Sequence, residues 1–111
     1  MGDSLEMRLN NMIEPGTPFD EKCGEYPDGW ILAIILDKNG KGIGVFDTTG
    51  AEHQPVEGKT IDLVQKLYWI EINDQEFIDF INGNPDGDIK IMIFDVYANE
   101  VASFDTRKKD E

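Results

Sequence analysis

The sequence contains little of the material from which catalytic and metal-binding sites are built. Among its 111 residues there is one cysteine, Cys23, and one histidine, His53. A single cysteine excludes an intramolecular disulfide and, with it, the bridged scaffold of small secreted domains. A Cys–His catalytic pair or a His-rich metal site would require these two isolated residues to meet. We therefore expect no catalytic residue, no metal ligand and no cofactor.

Long apolar runs and recognisable functional motifs are missing as well. No stretch reaches the length of about 20 apolar residues that a membrane-spanning helix needs, and the first residues, MGDSLEMRLNN, lack a basic region followed by an apolar run. There is no glycine-rich phosphate loop, zinc-ligand spacing or nucleophile elbow. These absences lead us to expect a cytoplasmic protein that is not an enzyme.

Positive charge is scarce. Ten Lys and Arg residues stand against 23 Asp and Glu residues, which gives a net charge of −13. Three of those bases lie in the tail, residues 107–111, which we expect to be flexible, so the rest of the chain is more acidic still. A field of this sign repels phosphate backbones and anionic lipid surfaces. Nucleic acid and membrane are therefore disfavoured as direct partners, and a basic protein is favoured.

An internal match is the most informative feature that the sequence does contain. Residues 27–48 align with residues 85–106 at a constant offset of 58 positions, without a gap and with nine identical residues. The shared Pro-Asp-Gly and Phe-Asp-Thr triplets lie outside the apolar runs, which favours repetition over chance similarity between hydrophobic strands. We expect a single domain, residues 1–111, that uses one structural unit twice with pseudo-twofold symmetry.

Each copy of the repeat is predicted to form a β-hairpin. Residues 30–36 (WILAIIL) are apolar without interruption, a pattern typical of a strand covered on both faces. The dipeptide Asn39-Gly40 is typical of a two-residue type I′ turn. In the second copy, residues 89–94 alternate with the period of two that characterises a strand.

Short helices are predicted ahead of each hairpin. Thr17 followed by Pro18 indicates a helix start, and Asn73 with Glu76 three positions later indicates a capping box for the corresponding second helix. Residues 60–72 carry both a helical spacing and a strand-like alternation. The pattern does not separate helix from strand, and we expect a helix that gives way to an extended segment. Together these elements predict an α+β domain, an antiparallel sheet of about four strands with helices on one face.

Size, charge and the missing catalytic motifs lead to one principal functional hypothesis. We expect a small acidic binding protein that neutralises a basic partner, specifically an immunity or inhibitor protein for a toxin nuclease. Its acidic side chains would occupy the place of the nucleic acid, and a few aromatic anchors would add affinity. The predicted partner-binding residues are Tyr68, Trp69, Asp74, Glu76, Asp79, Asp86 and Asp88.

Two alternatives come from different functional classes. A structural or oligomeric accessory module, of the phage or mobile-element type, would pair its hairpin edges with another copy of the chain. A carboxylate-based hydrolase would instead require a deep pocket lined by two or more carboxylates with shifted pKa values. Asp47 and Asp105, from the repeated Phe-Asp-Thr triplet, are the pair that a symmetry axis would have to bring together for such a site.

Overall fold

The architecture is α+β, as predicted, with four helices and a four-stranded antiparallel sheet in the computed structural model. The structure describes residues 4–26, 28–48 and 63–107, so His53 and residues 108–111 of the tail lie outside the described residues. None of the described helices is both long and apolar enough to cross a bilayer. The elements in chain order are α1 (Leu5–Ile13), α2 (Pro18–Glu25), β1 (Trp30–Leu36), β2 (Gly42–Asp47), α3 (Leu63–Asn73), α4 (Gln75–Gly83), β3 (Asp88–Phe94) and β4 (Glu100–Asp105).

The sheet joins the two hairpins through their first strands. Its strand order is β2-β1-β3-β4, and β1 runs antiparallel to β3. Within the hairpins, Ala33 pairs with Phe46 and Ile91 pairs with Phe104, two pairs that correspond at the offset of 58 positions. A register shift follows Ile35 in the first hairpin and Ile93 in the second. The pseudo-twofold symmetry of the whole unit stays a prediction.

The helix starts follow the predicted capping chemistry, with one correction. Thr17 Oγ1 accepts a hydrogen bond from the Asp20 backbone N–H at 3.2 Å, and α2 begins at the next residue, Pro18. The second predicted cap is wrong by one position. Asp74 caps α4 by accepting from the Phe77 backbone N–H at 3.2 Å, because a carboxylate satisfies this free donor well. Asn73 is instead the last residue of α3.

The ambiguous segment before Asn73 is helical throughout its described part. Leu63, Leu67 and Ile70 share the helical spacing of four and three positions and are all buried. Burying these three side chains together requires a helix, so the expected change to an extended segment is wrong. Residues 60–62 lie outside the described residues.

The first hairpin turn differs from the predicted type. Asp37 N–H donates to the Lys41 carbonyl and Gly40 N–H donates to the Asp37 carbonyl, both at 2.9 Å, and Gly40 alone in this turn has a positive φ, +85°. This is a three-residue loop with a left-handed residue at its end, not a two-residue type I′ turn. The Asp37 carboxylate stabilises the wider loop by accepting from the N–H groups of Asn39 and Lys41 at 2.8 and 3.0 Å.

The core lies between the helices and one face of the sheet. The other face carries the alternate residues of β1 and β3, which apart from Leu36 at the end of β1 are only partly buried. The expectation that β1 is covered on both faces is therefore wrong. The uninterrupted apolar run serves a central strand with one covered and one open face. The sheet residues of this core are Ile31, Ala33, Ile35, Ile89, Ile91 and Ile93, and the largest helix residues in it are Leu5, Leu9, Ile13, Phe19, Leu63, Leu67 and Phe77.

Candidate partner-binding surface

The predicted partner-binding residues are spread over α3, the junction between α3 and α4, α4 itself, the turn after α4 and β3. Trp69, Glu76, Asp79 and Asp86 are exposed, with 49% of the Trp69 surface accessible. Tyr68 is partly buried and packs against the core. Trp69, Glu76, Asp79 and Asp86 are therefore the members of the predicted set that face solvent.

Two of the predicted acids have structural roles. Asp88 forms an ion pair with Arg8 at 2.7 Å, in which the two side chains are only 17% and 16% exposed, and it accepts a hydrogen bond from Thr106 Oγ1 at 3.0 Å. Arg8 also donates to the carbonyl of Gly87. Asp74 is the cap of α4. Charge alone could not separate these two residues from the exposed acids, because their partners are distant in sequence or belong to the backbone.

Three exposed carboxylates, Glu76 and Asp79 on α4 and Asp86 in the following turn, form what we call the acidic surface. A spacing of three places Glu76 and Asp79 on the same side of the helix. Asp79 accepts a hydrogen bond from Gln75 Nε2 at 2.9 Å, an interaction that leaves its charge in place. None of the three forms an ion pair within the described part of the chain. Their negative charge is therefore presented to solvent.

Exposed apolar side chains precede this surface in the chain. Ile72 is 70% exposed and lies three positions after Trp69 on α3, so the two side chains share one side of that helix. Exposed aromatic and aliphatic groups beside charge are typical of binding surfaces. Sequence reasoning missed Ile72, because its exposure depends on whether residues 60–72 form a helix or a strand.

A pocket of about 240 Å³ lies among α1, α3 and α4. The side chains that line it are Glu6, Glu71, Phe77, Ile78, Ile81 and Asn82. Oε2 of Glu71 is buried and accepts no hydrogen bond. Burial, followed by the charge of Glu6, raises the pKa of Glu71 to about 6. The pocket is smaller than the range of about 300–1,000 Å³ typical of small-molecule sites, which does not favour a glycan-acting hydrolase.

A second concavity, of about 280 Å³, lies between the first hairpin turn and the turn after α4. Asp37 and Asp86 both line it, but Asp37 already accepts two backbone hydrogen bonds. Among the described residues, no group of three or more His, Cys, Asp and Glu side chains is arranged to hold a metal ion. Cys23 is fully buried in the core, where it acts as a small apolar side chain.

The repeated Phe-Asp-Thr triplet does not build a carboxylate pair. Asp47 and Asp105 lie on β2 and β4, the two outer strands, which are three strand spacings or about 14 Å apart. The threonines of the triplet have a local role instead. Thr48 Oγ1 accepts from Ile31 N–H and Thr106 Oγ1 accepts from Ile89 N–H, both at 3.0 Å, so they fix the strand ends.

Comparison with family models, with curated proteins and with solved structures gives no match. The fold and the surface define a class of protein that is small, acidic and α+β. Its exposed carboxylates lie on α4 and the following turn, and it also has exposed apolar residues on α3. Its function is therefore argued from this geometry.

Proposed function

We propose that the chain is a binding protein that captures and neutralises a basic protein, as an immunity or inhibitor protein does for a toxin nuclease. The observation that carries the proposal is the acidic surface, where Glu76, Asp79 and Asp86 are exposed without a cationic partner among the described residues. A basic partner supplies the missing positive charge.

The chain carries a net charge of −13. This charge assists association with a partner and contributes little to folding. Exposed carboxylates contribute little to stability, but an acidic field accelerates encounter with a basic partner and suppresses acidic ones. Trp69 and Ile72 supply the apolar contact that slows dissociation, since large side chains dominate the energy of most interfaces. Asp74 and Asp88 act indirectly, by holding α4 and β3 in place.

The test is affinity capture from a lysate of the source cells with two baits. One bait is the native chain and the other is the triple variant Glu76→Gln, Asp79→Asn, Asp86→Asn, which removes three charges without touching a cap or an ion pair. We expect the native chain alone to retain a basic protein at low salt and to release it at high salt, because salt screens exposed charges. The captured protein is then purified, and the complex is reconstituted from this protein and the native chain.

A matched control comes from the opposite end of the sheet. Glu100→Gln also removes one exposed carboxylate, but at the start of β4 and away from α4, and it should capture as the native chain does. The proposal fails if no basic protein is retained, or if the triple variant retains the same protein equally well.

Self-assembly is a second candidate function, favoured by the open face of the sheet. This face carries five large apolar side chains that are only partly buried, with Val45 beside them 62% exposed, and contiguous exposed apolar patches mark interaction sites. The five are Trp30, Leu32, Ile34, Met92 and Phe94. Sedimentation equilibrium distinguishes the candidates. A dimer that persists at high salt supports self-assembly, whereas a monomer at all salt concentrations contradicts it.

A further inference from the structure

The pocket among α1, α3 and α4 is lined by the carboxylates of Glu6 and Glu71. The residues at the corresponding positions in the other half of the chain are aliphatic and belong to the core. The offset of 58 positions extends to α1 and α3, where the buried residues Leu5 and Leu9 correspond to Leu63 and Leu67. At this offset Glu6 corresponds to Val64 and Glu71 corresponds to Ile13. Val64 and Ile13 are 8% and 0% exposed. The corresponding places in the other half of the chain hold buried aliphatic residues, whereas Glu6 is exposed and Glu71 is partly buried.

The arrangement of these two carboxylates is energetically costly in the absence of a cation. Glu71 Oε2 is buried without a hydrogen-bond donor, and Glu6, a second carboxylate, lines the same pocket. A buried polar atom without a partner and a pair of like charges both destabilise the folded state. A cation placed between the carboxylates would remove both costs at once.

The remaining lining restricts the form of that cation. Phe77, Ile78 and Ile81 supply apolar wall, and the Asn82 side chain is the other polar group that lines the pocket. A bare metal ion gains nothing from apolar walls, since hard cations require several oxygen ligands. An ammonium group on a flexible aliphatic stem matches the lining, because its methylenes contact the apolar walls while its charge meets the carboxylates.

We propose that this pocket receives a lysine side chain of the basic partner, with Glu71 and Glu6 holding the ammonium group and Phe77, Ile78 and Ile81 holding its methylenes. The proposal rests on the proposed function and names one contact of that interaction. Lysine fits better than arginine, since a compact ammonium needs less width than a planar guanidinium fork.

The direct probe is Nα-acetyl-lysine methylamide, titrated into the isotope-labelled full chain while the methyl signals of Ile78 and Ile81 are followed by NMR. The matching norleucine compound has the same stem without the charge and should shift these signals far less. Glu71→Gln and Glu6→Gln should each weaken binding of the lysine probe about tenfold, the loss expected for one charge-assisted hydrogen bond. Glu100→Gln, an exposed change at the start of β4 outside the pocket lining, should leave it unchanged.

The outcomes separate this proposal from the proposed function. If the lysine probe does not shift the Ile78 and Ile81 signals, or if the norleucine compound shifts them equally, the lysine pocket is wrong whatever the chain captures.

If a basic partner is captured but Glu71→Gln and Glu6→Gln bind it as tightly as the native chain, the partner does not use the pocket and the proposal is overturned. If the probe binds in a Glu71-dependent way and no basic protein is captured, the pocket chemistry stands and the proposed function fails. Thermal melts of both variants confirm that each is folded.

Discussion

Ala33 of β1 pairs with Ile91 of β3 at the centre of the sheet, and the two residues lie 58 positions apart, the offset of the internal match. Both are buried, at 2% and 0% exposure. The two ends of this strand pair are also alike. A Cβ built on Gly29 would lie 2.2 Å from the Phe94 carbonyl oxygen, and one on Gly87 would lie 2.3 Å from the Leu36 carbonyl oxygen. The junction between the hairpins therefore depends on a glycine at each end.

Replacing either of these glycines with alanine should destabilise the fold. Gly29→Ala and Gly87→Ala each force a methyl group against a backbone carbonyl that cannot move without disturbing the sheet, and we expect a loss of about 1–3 kcal/mol. Urea unfolding measures the change. Gly24→Ala is the control, because its Cβ meets nothing within 4 Å in α2 and alanine favours the helix by up to about 1 kcal/mol. Equal effects at all three glycines would contradict this explanation.

The ion pair between Arg8 and Asp88 should contribute far more than the one between Arg107 and Asp105. The first is largely buried, and Arg8 also donates to the Gly87 carbonyl, so Arg8→Ala leaves a carboxylate without its cation and should cost about 3 kcal/mol. The second pair is 51% and 25% exposed, and Arg107→Ala should cost less than about 1 kcal/mol. Chemical denaturation of the two variants tests the contrast. Losses of similar size would show that the Arg8 pair is not a structural link between α1 and β3.

Glu71 should make stability depend on pH in a defined direction. Burial raises its folded-state pKa from 4.5 to about 6, and Glu6 on α1 adds to the shift. Because the folded state holds this proton more tightly than the unfolded state does, the free energy of unfolding rises as pH falls from 7 toward 4.5. Glu71→Gln should be more stable than the native chain by about 1 kcal/mol at pH 7.5, a figure reduced for the partial exposure of the group.

The stability difference at Glu71 should become small near pH 4.5, where the carboxyl group is protonated in the folded state and half protonated in the unfolded state. Unfolding titrations at several pH values from 4.5 to 7.5 provide the measurement, and the difference between variant and native chain cancels the titration of other groups. Glu100→Gln, at an exposed carboxylate at the start of β4, serves as the control for the loss of one exposed charge at the same pH values. A Glu71→Gln variant whose advantage is the same at every pH would refute the role given to burial.

Helix caps and strands could be predicted from the sequence where the residues that determine them are neighbours in the chain. The cap at Thr17 and the strands around Ile35 and Ile91 follow from capping preferences and apolar patterning. The cap at Asp74 was misplaced by one residue, because Asn73 is an equally good cap and only the length of α3 decides between them. The open face of β1 was missed because an uninterrupted apolar run looks the same whether one face or both are covered.

The candidate site was predictable only in part, since it depends on contacts between distant segments. Asp88 looked like the other acids until its ion pair with Arg8, 80 positions away, was visible. Glu71 lies in a segment whose alternation is also typical of a strand, and nothing in the neighbouring sequence indicates that it shares a pocket with Glu6. The sequence did contain one signal. At the offset of 58 positions Glu71 corresponds to Ile13, an aliphatic residue of the core, so a carboxylate at this position is unexpected.

The association rate with the captured basic partner is the most direct test of the acidic surface. Stopped-flow measurements should compare the native chain with the variant Glu76→Gln, Asp79→Asn, Asp86→Asn at low and high salt. We predict that the variant associates about tenfold more slowly at low salt, with the two rates converging at high salt, because steering by exposed charge is lost to screening. An association rate that is unchanged by removing the three charges, at any salt concentration, would contradict the account.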